Sequence, residues 1–161
     1  MRMLMAICVS LVLLSAVVTA QTTKVAAKPL TDTDIALLRT DVLVGKIQII
    51  TDTMQFTSAE AAAFWPVYQD YANGQLAIGD DRVQLIKDYA KNYDTMDDAT
   101  AKDLVQRMIN IEDRTLNLRE DFWPKFMKAL GAKRAAKFYQ VDARLTLLIN
   151  LELTADIPLL P

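Results

Sequence analysis

The chain has no histidine, a single cysteine (Cys8), four glycines and only one long apolar run, at the very start. Without histidine, imidazole acid/base catalysis, haem ligation and the usual zinc or copper sites are excluded. Four glycines are too few for a turn-rich β fold, and no stretch alternates apolar and polar residues long enough to read as a strand. There is no phosphate-cradling glycine loop, nucleophile elbow or paired-cysteine motif. The expectation is a protein without catalytic residues, cofactor or metal. Neither sign of charge dominates: 18 basic residues face 20 acidic ones, so nucleic acid is not an expected partner.

Arg2, the apolar run Met3 to Val18, and Val18-Thr19-Ala20 form the charged, apolar and small-residue parts of a secretory signal, with cleavage expected after Ala20. The alternative is a retained membrane anchor. The run is shorter than the ~20 apolar residues a spanning helix needs, and no later stretch is long enough, so no stable anchor is expected. Cleavage removes Arg2 and Cys8, leaving a balance of 17 basic to 20 acidic residues and no thiol for a disulfide, a metal or a lipid. Residues 21–30 lack periodicity and read as a disordered lead-in, and 31–161 as one helical domain.

The rest of the chain repeats apolar residues at helical intervals. A first helix is expected from Thr31, with Ile35, Leu38, Val42 and Ile49 on its main stripe and Leu43, Ile47, Ile50 and Met54 beside it. Thr57 followed by Glu60 is a capping box, placing a second helix from about Ser58 with Phe64, Tyr68, Tyr71, Ile78, Leu85 and Tyr89 in line. Asn73-Gly74 offers a turn, but the stripe keeps its phase across it, so one helix is expected, bent at Pro66. A loop is expected at residues 94–100, where Asp94, Asp97 and Asp98 suit a helix N-terminus and lack the glycine and closing glutamate of a calcium loop.

A third helix to Leu130 carries two stripes: Leu104, Met108, Ile111, Thr115, Leu118 and Phe122, and alongside them Val105, Ile109, Leu116, Trp123, Met127 and Leu130. Gly131 suits its end, and a fourth helix with Phe138, Val141, Leu145 and Leu148 is expected to about Thr154. A helix from Asp98 to Leu130 is about 50 Å long at ~1.5 Å per residue, longer than a compact domain of this mass is wide. Two-striped rods of that length leave apolar surface for a dimer interface or an open groove.

Two segments echo each other: Phe56-Thr57-Ser58-Ala59-Glu60 and Leu130-Gly131-Ala132-Lys133-Arg134, each followed by Ala-Ala and an aromatic pair. In order and spacing they resemble the two LTxxQ motifs of the CpxP/Spy family of periplasmic proteins. Only Thr57 keeps the family letter at the polar positions; Glu60 and Arg134 stand in place of glutamine and Gly131 in place of threonine. The resemblance implies an all-α fold of about four long, kinked helices in an extended, cradle-like antiparallel homodimer in the periplasm. It also implies that the two helix starts meet, where Glu60 and Arg134 would pair as opposite charges. A second echo, Phe-Trp-Pro at 64–66 and 122–124, reads as core packing with a kink, the alternative being a client-binding aromatic cluster.

Two functions follow from the resemblance. The first is an ATP-independent chaperone that holds unfolded or misfolded periplasmic proteins on an apolar and charged concave surface, with Val105, Ile109, Leu116, Trp123, Met127 and Arg144 as the candidate binding residues. The second is a regulatory partner of an envelope-stress or metal-stress sensor system, binding the periplasmic domain of a sensor kinase without holding clients. Lys133, Arg134, Lys137 and Arg144 form the one local concentration of positive charge that would serve it.

Overall fold

The computed structural model describes residues 32–155 and 157–160, with side chains from Val42 onward. The expected signal, the 21–30 lead-in and the helix start at Thr31 lie outside those residues. Among the described residues the fold is all helix: α1 Asp32–Met54, α2 Ser58–Asn92, a 3-10 turn Tyr93–Thr95, α3 Asp98–Leu130 and α4 Ala132–Thr154. None of these helices is long and apolar enough to cross a membrane.

Local chemistry accounts for the breaks. Gln55 takes a left-handed φ of 46° and ends α1, its amide donating to the Thr51 carbonyl at 3.0 Å. Thr57 then opens α2 with a complete capping box: its Oγ1 accepts from the Glu60 amide at 3.3 Å, and its own amide donates to Glu60 Oε2 at 2.8 Å. Asp97 opens α3 by accepting from the Thr100 amide at 2.8 Å. A single residue, Gly131, joins α3 to α4 with φ 75° and ψ 155°, a region essentially closed to side-chain-bearing residues. Its amide donates to the Met127 carbonyl and its carbonyl accepts from the Ala135 amide, so both helices use it.

α2 runs through Asn73-Gly74 without a break. Gly74 serves packing there: a Cβ at this position would sit 2.7 Å from Leu118 Cδ1, so the bare backbone lets α3 approach. Pro66 and Pro124 lie inside α2 and α3, each removing one backbone donor.

α2 and α3 form a long antiparallel hairpin; α4 folds back along α3, and α1 lies along α4. The helix ends converge on one core. It contains Ile50 and Met54 from α1, Phe64, Tyr68 and Tyr71 from α2, Phe122, Phe126 and Leu130 from α3, and Ala135, Phe138 and Leu145 from α4. Phe138 is its hub, with ring centroids 4.5 Å from Phe126 and 5.0 Å from Phe64. Beyond this end the hairpin is held by a thinner line of buried residues, Ile78, Leu104 and Ile111, and by the Arg107–Asp88 ion pair at 2.8 Å. At ~1.5 Å per residue the hairpin is about 50 Å long, against about 35 Å for a compact domain of this chain length.

Several stripe positions differ from the expectation. Val42 and Ile49 of α1 are exposed, and the buried side is the neighbouring stripe of Ile50 and Met54. In α4, Leu148 is exposed and Val141 half-buried, because the inward line is Ala135, Phe138, Asp142 and Leu145. Met108 is exposed in α3, where the hairpin partner and the segment after α4 leave it on the wall of an open cleft. The common reason is that helical spacing gives a stripe but not the direction from which other helices arrive.

Candidate functional site

The echoed segments meet. Arg134, in the first turn of α4, has its Nε 2.6 Å from Glu60 Oε1 in α2, off the line a hydrogen bond requires, so the contact is an ion pair. One Nη of the same guanidinium donates to the Met54 carbonyl at 2.8 Å, and Lys137 Nζ donates to the Thr53 carbonyl at 2.6 Å. α1 has no basic residue in its own last turn, so α4 supplies the two cations that satisfy its carbonyl end. Phe56 stacks 4.5 Å from Phe64, with the Arg134 guanidinium 5.9 Å from its ring centre. Leu130 is buried beneath, next to Gly131. The pKa of Glu60 is held below its ordinary value chiefly by the hydrogen bond from the Thr57 amide, with the Thr57 hydroxyl and Arg134 adding to it against some desolvation.

Next to the core lies a polar cluster that sequence reasoning missed. Asp142 is 1% exposed; its carboxylate accepts from the Tyr71 hydroxyl at 2.8 Å, Lys46 Nζ at 3.3 Å and Gln75 Nε2 at 3.3 Å. Lys46 Nζ also donates to Gln75 Oε1 at 2.9 Å. Three helices are thereby tied by one carboxylate. Burial, and then the charge of Asp142, push the Tyr71 hydroxyl well above its ordinary pKa, so it stays a neutral donor. Tyr68, one turn earlier, is pushed up to about 12, first by burial and then by Asp142, and its hydroxyl is buried without a partner among the described residues. A signal was present: Asp142 stands four residues after Phe138 and three before Leu145, on the inward line of α4, as Lys46 stands four before Ile50. A buried carboxylate needs a partner, and a lysine at a stripe position of another helix is one.

The candidate binding residues divide. Val105, Ile109 and Leu116 of α3 are 51%, 43% and 55% exposed. Trp123 and Met127 continue the same stripe but are half-buried against the core, Trp123 edge-on to Tyr139 of α4 at 5.2 Å. Arg144 is exposed on α4, away from the α3 stripe's exposed part in sequence and helix. In the Phe-Trp-Pro echo, Phe64 and Phe122 are buried, and both tryptophans are half-buried against the core. Other exposed apolar residues were not among the candidate binding residues: Leu147, Leu148 and Leu151 of α4 at 64–69%, with Val44 and Ile47 of α1, Leu148 and Ile47 having been expected on helix stripes.

At the far end of the hairpin an apolar cleft of about 260 Å³ is lined by Leu85, Ile86, Val105 and Met108 and closed by Ile157 and Leu160 of the segment after α4. Tyr89 and Tyr93 hydroxyls donate to the carbonyls of Pro158 and Leu159 at 2.8 and 2.9 Å. Among the described residues no group of three or more metal-ligating side chains comes together. Comparison with protein-family models, with curated proteins and with solved structures returns no match.

Proposed function

We propose that this protein is a periplasmic, ATP-independent chaperone of the CpxP/Spy kind that holds unfolded or misfolded proteins on its apolar faces, as an antiparallel homodimer whose concave side forms the cradle. The observation that supports this most is the apolar exposure of Val105, Ile109 and Leu116 on α3 and of Leu147, Leu148 and Leu151 on α4. These sit on a scaffold whose opposite end is closed by a packed aromatic core. Apolar surface contributes about 25 cal/mol per Å², so a few hundred Å² offers of order 5–10 kcal/mol gross, much of it offset by ordering a flexible client. Modest, reversible binding is the result such a holder needs.

The regulatory reading, binding to the periplasmic domain of a sensor kinase, relies on positive charge on α4. Arg134 and Lys137 are engaged by Glu60 and the end of α1, which leaves Lys133 and Arg144 as a sparse pair on that helix. This favours the chaperone. The test is aggregation of an unrelated unfolding substrate at near-stoichiometric protein. Suppression that falls several-fold in a Leu116→Lys/Leu148→Lys variant of unchanged melting is expected. No suppression by the wild type, with capture of one specific sensor domain, would overturn it.

A further inference from the structure

The segment after α4 is bound in a way that does not depend on its being part of this chain. Its backbone is recognised through two carbonyls, by the Tyr89 and Tyr93 hydroxyls, whose rings lie 5.8 Å apart. Its apolar side chains Ile157 and Leu160 form one wall of the 260 Å³ cleft that α2 and α3 line on the other side, while Leu159 projects into solvent at 89% exposure. Hydroxyl donors on main-chain carbonyls together with an apolar pocket read the shape of an extended apolar segment rather than one sequence. A segment held by two hydrogen bonds and two partly exposed side chains also belongs to the less stable part of a fold.

We infer that the hairpin tip is a peptide-binding site for extended apolar segments, covered at rest by the chain's own Ile157–Leu160, which engages both tyrosine hydroxyls and must leave before another segment takes them. For the nature of its natural occupant, an unfolded client, this rests on the chaperone reading. The cleft itself does not. Val105 connects the two: it lines the cleft and begins the exposed stripe that continues through Ile109 and Leu116, so a segment seated in the tip has further apolar surface ahead of it.

The probe is a fluorescent peptide with the sequence of residues 157–161, titrated into the full chain. Wild type is expected to bind it at least tenfold more weakly than the Ile157→Asp/Leu160→Asp variant, whose own segment is expelled by charge. Adding Val105→Asp to that variant should abolish binding, and Tyr89→Phe/Tyr93→Phe should weaken it about tenfold. Equal affinity in wild type and the released variant, or binding indifferent to Val105→Asp, overturns the inference. Should the released variant lose its helical circular dichroism, wild type alone decides: excess unlabelled peptide must speed carboxypeptidase trimming of residues 159–161, and an unchanged rate overturns the inference. Peptide binding without aggregation suppression sinks the chaperone reading and leaves the cleft standing; suppression without peptide binding sinks the cleft alone.

Discussion

The two ends of the α2–α3 hairpin are built from the same helices and the same residue spacing, yet one is closed and the other open. At the Gly131 end four helices converge on one core, joined by aromatic side chains, caps and a buried ion pair. At the Met96 end, among the described residues, α2 and α3 are accompanied only by the last residue of α4 and the short segment after it. A single stripe on α3 makes the contrast plain. Ile109, Leu116 and Trp123 follow one another at seven-residue steps, but only Trp123 meets a ring of α4. Exposure along this helix is decided by how many neighbours reach it, not by the residues themselves.

That difference is open to attack by mutation. Phe138→Ala at the closed end should remove about 3–5 kcal/mol of stability, whereas Met108→Ala at the open end should cost well under ~1 kcal/mol. Urea denaturation reads both, and comparable losses would erase the contrast. Asp142→Ala should cost about 3–5 kcal/mol, because it strands the Lys46 ammonium away from water. Lys46→Met/Asp142→Leu should recover much of that loss; a double variant as unstable as the single one would show that the pair itself is needed.

Arg134→Glu should lower the melting temperature, and Glu60→Arg in the same chain should restore part of it, since the reversed pair still joins α2 to α4. Two additive losses would break the link between the echoed segments. Glu60 titrates below its ordinary value of 4.5, so its contribution is present above that pH and disappears as the pH falls through its lower folded value. Glu60→Gln should flatten that part of the acid melting curve. The smallest effect belongs to Tyr68→Phe: removing a buried hydroxyl that has no partner should leave stability unchanged or raise it by up to about 1 kcal/mol.

The start of α2 and the α3–α4 joint were legible because each is written in adjacent residues, Thr57 with Glu60 and Gly131, whereas the Asp97–Thr100 cap lies inside the stretch 94–100 expected as a loop, and the left-handed Gln55 that ends α1 gave no signal. The repeat placed Glu60 and Arg134 at equivalent positions with opposite charge, and the resemblance it carried implied that the two would meet. The direction of burial was not. The apolar stripe expected on α4, Phe138, Val141, Leu145 and Leu148, passes over Asp142, whose burial is offset by partners far away in the chain: Lys46, 96 residues earlier, with Tyr71 and Gln75. The tip cleft was hidden for a similar reason, since Ile157 and Leu160 reach back to residues around Leu85.

Between α3 and α4 there is no slack. Were one residue inserted after Gly131 and absorbed into the helix, every side chain of α4 would take the place of its successor: Val141 would face Lys46, Lys137 would be driven into the aromatic cluster where Phe138 sits, and Arg144 would replace Leu145. The length of this joint therefore acts as a frame for everything downstream of it, and a loop of two or three residues there would free α4 to settle elsewhere along α3 and change how much of that rod stays uncovered.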